Sequence, residues 1–172
     1  MNTKTTAISA LIAAMYATLV ALLPTVSFLL WQVRIADALL MLSTTLGWPA
    51  VVGVTLGCFL GNLTAPWGSA LLTAIDATLG SVANFIASYL AYRIAYKANA
   101  LRKAAAASLE IAIITVIVGG YLKYLMLWAF NTDIPLWLSM LGVLPGSIIS
   151  IGILGTALVI ALERYIQVRG VQ

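Results

Sequence analysis

The sequence predicts an all-α integral membrane protein, a single transmembrane domain over residues 1–172 with six membrane-crossing helices. Hydrophobic residues make up 63% of the chain and charged residues 8%, where an ordinary soluble domain devotes roughly one quarter to charge. The apolar runs are separated by Pro, Gly and Asn turns, and the charges gather at the ends of the runs. At about 20 residues per crossing, six crossings with short connections fill the chain.

The first helix is predicted from about Thr6 to Leu23, where Pro24 ends it because proline has no N–H and clashes with the preceding turn. Lys4 ahead of this run looks like the start of a cleaved leader, but the apolar segments that follow favour Ile8 to Leu23 as a retained helix. Pro24 to Gln32 is a semi-apolar connection. The second helix, Arg34 to Leu46, stops near Gly47-Trp48-Pro49, and the third covers Ala50 to Leu63. Each reaches only about 20 Å at 1.5 Å per residue. The pair is therefore either re-entrant or two short spans whose polar ends line a cavity. Asn62 to Gly68 is a turn, the fourth helix covers Leu71 to Tyr92 and the fifth Ala104 to Phe130. Asn131 to Pro135 breaks the chain again, and the sixth helix runs from Ser139 to Ile166 with Pro145-Gly146 set to kink or restart it.

Charge placement orients this arrangement. With the amino terminus inside, Lys4, Arg93, Lys97, Arg102, Lys103, Arg164 and Arg169 fall on the cytoplasmic side, and only Arg34 and Lys123 toward the other. That matches the positive-inside rule for a multi-pass protein of the cell membrane with both termini cytoplasmic. A re-entrant pair preserves the parity, so charge fixes orientation better than it fixes the span count. Positive residues at helix ends, rather than across a soluble face, make lipid the surroundings and give no basis for a nucleic-acid partner.

Ionisable groups at membrane depth are costly unless paired or facing a cavity, so they are the informative residues. Arg34 and Asp37 sit three apart and share a helix face, as a salt bridge or as a ligand clamp. Asp76, Gly80 and Asn84, four apart, form a stripe with an acid, a bare backbone patch and an amide. A flat ligand fits against Gly80, or the glycine permits close helix packing while the polar groups bond across the interface. Asp76 is expected to accept donors from a ligand or to pair with Arg34 or Lys123. Lys123 lies well inside the fifth helix, near Tyr124 and Trp128, and snorkels outward or faces the site. Trp31, Trp67, Trp128 and Trp137 fall near the outer ends as belt residues, of which one or two are candidates to stack on a ring. Glu163 beside Arg164 is an end charge, whereas Glu110 is deeper and lacks an evident partner. On the first helix Ala10, Ala14, Ala17 and Ala21, with Ala13 adjacent, make a smooth stripe for an approaching helix, internal or from a partner.

One cysteine, Cys58, and no histidine exclude an intrachain disulfide framework, a Cys/His metal cluster and a Ser-His-Asp triad. No phosphate-binding loop is present, so any ATP that drives transport is hydrolysed by separate chains. No enzyme activity and no cofactor bound by this chain are expected. A buried pair of Asp37 and Asp76 is conceivable as the centre of an intramembrane protease or a lipid enzyme, but the flanking residues do not support it.

Gln32-Val33-Arg34-Ile35-Ala36-Asp37-Ala38-Leu39, followed by Pro49-Ala50-Val51-Val52-Gly53, Leu56-Gly57-Cys58-Phe59-Leu60-Gly61-Asn62 and Gly80-Ser81, resembles the QueT family. Members of that family are S components, the substrate-binding membrane subunits of energy-coupling factor (ECF) transporters. The resemblance implies a six-helix S-component-like bundle and uptake of a queuosine precursor, a 7-deazaguanine such as preQ1 or queuine. It also implies a transmembrane coupling subunit and two cytoplasmic ATPases as partners, with Ala10, Ala13, Ala14 and Ala17 docking on the coupling subunit and Pro24 to Gln32 acting as an outward gate. A deazaguanine offers a flat ring, adjacent N–H donors for one carboxylate and a carbonyl suited to Arg or an amide. Gln32, Arg34, Asp37, Asn62, Trp67, Asp76, Gly80, Asn84, Lys123 and Trp128 are the candidate binding residues. Riboflavin or another flat vitamin fits the same inventory. An ion-coupled secondary carrier and a structural membrane subunit are the readings from other classes.

Overall fold

The computed structural model describes residues 2–28 and 30–169. Leu29, within the predicted Pro24 to Gln32 connection, lies outside the described residues, as does the side chain of Arg169. All regular structure among the described residues is helical. α1 (Thr3–Leu22) starts where the Asn2 side chain accepts the Thr5 N–H at 2.9 Å, a cap that satisfies one of the free donors of the first turn. Pro24 ends it as expected and opens the single turn α2 (Pro24–Ser27).

α3 (Ile35–Leu46) is the element that the apolar pattern describes least well. Its first part, Ile35–Leu42, is wound as a 3-10 helix, and every residue from Ala36 to Leu42 is buried. It threads the interior, against the later part of the last helix, and is enclosed by protein. A segment of this length more often makes a buried core helix than a lipid-facing one. Gly47, at φ 71, turns the chain into α4 (Trp48–Asn62), with no room for a side chain because a Cβ there would lie 2.8 Å from the Tyr96 ring.

α5 (Ala70–Ala95) and α6 (Ala100–Phe130) form a long antiparallel pair, with Asn99 capping α6 by accepting the Arg102 N–H at 3.1 Å. α6 thus starts one turn before the predicted Ala104. Asn131, in the left-handed region at φ 51, closes it. α7 (Leu136–Val168) begins at Leu136 and runs through Pro145 instead of restarting there. Loosening follows as a wide π-helical stretch over Ile148–Gly155, beside the enclosed α3. Gly142 and Gly146 of α7 seat the incoming chain. A Cβ on Gly142 would lie 2.2 Å from the Leu30 carbonyl oxygen, and one on Gly146 1.8 Å from that of Gln32.

Neighbouring helices pack in the order α1 on α4, α4 on α5, α5 on α6 and α6 on α7. The α1–α4 seam is built on Gly53, Gly57 and Gly61, where a Cβ would meet Ile12, Tyr16 and Val20 within 3 Å. Small residues at this spacing let helices approach closely in lipid, where no hydrophobic force draws them together. Outward faces carry Leu11, Leu56, Leu60, Val116 and Ile153, apolar surface that suits lipid. α1, α5, α6 and α7 are long and apolar enough to cross a membrane, and α3 and α4 are shorter. Lys97 N–H donates to the Thr44 carbonyl at 2.8 Å, and Glu163 accepts from Thr45 and pairs with Lys103. These contacts gather the basic helix ends at one end of the bundle.

Candidate functional site

Two carboxylates organise the interior toward the opposite end. Asp37, on the first turn of α3, accepts a hydrogen bond from the Tyr16 hydroxyl of α1. Asp76 of α5 accepts from Trp67 Nε1 at 2.8 Å on one oxygen and from the Tyr121 hydroxyl of α6 at 2.8 Å on the other. Asn62, the last residue of α4, donates to the Asp76 carbonyl at 3.2 Å. Both acids are buried, at 4% and 2% exposure, and neutral donors replace the water that a buried carboxylate needs.

One branch of each of two alternatives is absent among the described residues. Asp76 pairs with neither Arg34 nor Lys123. Arg34 and Asp37 share a face without forming a salt bridge, since the ion pairs among the described residues are Lys103–Glu163 and Lys123–Asp133. The Arg34 guanidinium instead donates to the Ser27 carbonyl at 3.2 Å and to Gln32 Oε1 at 3.5 Å, and sits 5.4 Å above the Phe28 ring. Phe28 in turn meets Trp67 edge-on at 6.4 Å.

Gly80 stands beside the Asp76 cluster. A Cβ on it would lie 2.6 Å from Asn62 Nδ2, 3.2 Å from the Tyr121 hydroxyl and 3.4 Å from Cys58 Sγ. The bare patch is therefore filled by protein side chains, which is the close-packing alternative. Asn84, two turns from Asp76, faces Asp37 without completing a hydrogen bond through Nδ2.

The other candidates separate from this cluster. Lys123, two residues beyond Tyr121 and so on another face of α6, is held by Asp133 and by the Ile134 carbonyl at 2.8 Å. Trp128 is more than half exposed and leans on Tyr124 at 5.8 Å. Trp31 and Trp137 are exposed as belt residues would be, and Trp67 is the one of the four that turns inward. Of the alanine stripe, Ala10 and Ala14 are exposed and Ala17 is half-buried. Ala13 is buried against α4, where its backbone meets Gly57, so it belongs to internal packing rather than to a docking face.

Gln32, Arg34 and Asp37 line a cavity of about 10 Å³ with Ile114 and Val118 of α6 and Val143 and Ser147 of α7. That is room for about one water molecule. Polar atoms buried without partners include the donors Gln32 Nε2 and Arg34 Nε in the cavity lining and, beyond the lining, the donor Asn84 Nδ2 and the acceptor Asn62 Oδ1. Buried polar atoms are nearly always paired, so four such atoms drawn from three elements mark a site that is incomplete by itself. No group of three His, Cys, Asp or Glu side chains converges as a metal site among the described residues.

Tyr16 and Tyr121 escaped the sequence reading. Each is a tyrosine on a predicted span, and nothing in its own helix pattern says that it answers a carboxylate on another. The Gly53, Gly57 and Gly61 repeat was visible at four-residue spacing and marks the seam on which Tyr16 is held.

Among known proteins, neither a curated protein nor a solved structure matches the chain. The family model of the QueT transporter matches residues 6–164, nearly the whole sequence. A bundle of apolar helices around an incomplete buried polar site is what a membrane transporter requires, and the chain belongs to the QueT transporter family.

Proposed function

We propose that this chain is the S component of an ECF importer that binds a queuosine precursor, a 7-deazaguanine such as preQ1 or queuine, from the outer side. The observation that carries the reading is the set of unpartnered buried groups on Gln32, Arg34 and Asn84 near the Asp37 carboxylate, with a further one on Asn62 at Asp76. A deazaguanine ring presents paired N–H donors for Asp37 and a carbonyl for Arg34 Nε or Asn84 Nδ2, and Phe28 and Trp67 supply aromatic faces. Asp76 then orders Trp67 and Tyr121 around the ring. A structural subunit would satisfy these polar groups internally, so their lack of partners favours a binding role.

In this reading one domain crosses the cell membrane six times, with α3 and α4 as short crossings and both termini cytoplasmic. The exposed Ala10, Ala14 and half-buried Ala17 dock on the coupling subunit, and two cytoplasmic ATPases hydrolyse ATP, while this chain binds no cofactor and performs no catalysis. The cavity holds about one water, so ligand entry requires the Pro24 to Gln32 segment to move away from α7.

The test is calorimetric titration of the purified protein with preQ1, queuine, guanine and riboflavin. Tight binding of a deazaguanine is expected. Tight binding of riboflavin with none of a deazaguanine would overturn the substrate and keep the S-component class. Uptake by vesicles that lack the ATPase partners would overturn that class in favour of an ion-coupled carrier.

A further inference from the structure

Glu110 is a carboxyl that nothing in the site so far uses. It is fully buried in α6, and neither of its oxygens has a hydrogen-bond partner. The register of α6 places it. Glu110, Ile114 and Val118 recur at four-residue intervals on one buried face, and Ile114 and Val118 line the cavity with Gln32, Arg34 and Asp37. The Tyr121–Asp76 hydrogen bond sets the level of antiparallel α5 and α6. Counted from that bond, Asn84 lies about 12 Å deeper along α5 and Glu110 about 16 Å deeper along α6, so Glu110 is about one turn beyond Asn84. At about that level α5 carries Ala87, buried and without a donor, and Ser88, buried with its hydroxyl given to the Asn84 carbonyl at 2.6 Å.

The charge inventory of this interior is unequal. Asp37, Asp76 and Glu110 are its acids, and Arg34 is its cation among the described residues, because Lys123 is engaged with Asp133. Asp76 has two neutral donors and Asp37 has Tyr16, whereas Glu110 has none. A buried carboxylate without a donor is costly, and a cation arriving with the ligand relieves the cost.

We propose that Glu110 receives a cationic group of the ligand at the deep end of the site, so that the protein selects a flat ring bearing a protonated amine over the same ring with a neutral substituent. The proposal rests on the binding function above, in which preQ1 and queuine both carry an amine, and adds to it the residue that reads that charge and the rejection of a neutral substituent. A deazaguanine whose polar edge meets Asp37 and Arg34 directs its substituent past Asn84 toward Glu110. There the ammonium donates to the two open oxygens.

The experiment is titration calorimetry of wild type and Glu110→Gln with 7-aminomethyl-7-deazaguanine and 7-cyano-7-deazaguanine, which share a ring and differ in charge. Wild type is expected to bind the amine at least about tenfold more tightly than the nitrile. Glu110→Gln is expected to abolish that preference and leave nitrile affinity within about twofold. Equal affinities in wild type overturn the proposal while leaving the deazaguanine reading intact, as does a monodisperse Glu110→Gln protein that keeps the preference or loses both ligands equally. Absence of binding by either compound to wild type overturns both. The wild-type comparison decides even if the variant fails to fold.

Discussion

Tyr16 reaches from the middle of α1 to donate its hydroxyl to Asp37 on the enclosed α3. The bond ties the helix whose outer face carries Ala10 and Ala14 to the acid that heads the candidate site. Tyr16→Phe keeps the ring against Gly57 and leaves a buried carboxylate oxygen without its donor, a loss of about 1–3 kcal/mol. A lower melting temperature in detergent and weaker ligand binding are expected together. An unchanged melting temperature would show that the bond contributes nothing.

Asp37 and Asp76 are predicted to separate by role. Asp37→Asn removes the charge that the ligand's paired donors require, and truncating a buried charged hydrogen bond costs about 2–5 kcal/mol, or thirtyfold and upward in affinity. Asp76→Asn can turn its amide oxygen to Trp67 Nε1 and its amide nitrogen to Tyr121, whose hydroxyl rotates to accept. A loss below about tenfold is therefore expected for Asp76→Asn. Titration calorimetry on both variants checks the order, and a larger loss at Asp76 would move the ligand contact to α5.

Gly80→Ala places a methyl 2.6 Å from Asn62 Nδ2 and displaces that side chain from the Asp76 carbonyl. Overpacking of this kind costs about 1–3 kcal/mol. The variant should insert normally, melt at lower temperature and bind ligand more weakly. Wild-type melting and affinity would mean that Asn62 has room to turn aside.

On α1 two adjacent alanines should behave oppositely. Ala14→Leu adds volume to an exposed face and is expected to impair transport by the full complex while ligand binding by the isolated subunit is retained. Ala13→Leu drives a side chain into the Gly57 seam and is expected to destabilise the subunit itself. Equal effects of both on melting temperature would place Ala14 inside the bundle as well.

Hydropathy and breaker residues located the long helices to within about a turn, because Pro24 and Asn131 act through their own backbone. α3 was legible as short but not as enclosed. It packs against the π-helical stretch of α7, and no local pattern encodes that. For the site, spacing along one helix joined Asp76 to Gly80 and Asn84. The partners that Asp76 bonds are Trp67 from a turn and Tyr121 from the next helix. Helical periodicity relates residues of one helix and is silent about which side chain answers from another. For Lys123, left open between snorkelling outward and facing the site, the partner Asp133 likewise lies beyond the helix end, where periodicity does not reach.

The seating of the Leu30 and Gln32 carbonyls on Gly142 and Gly146 bears on how long a bound molecule stays. Contacts between a carbonyl oxygen and a glycine Cα are worth only about 0.5–1 kcal/mol each, so this seam closes tightly in distance but weakly in energy. In the proposed binding role, residence time is then expected to depend chiefly on the bonds that the ligand itself makes inside. An empty site is expected to reopen readily, and a filled one to stay shut because its occupant joins the two sides.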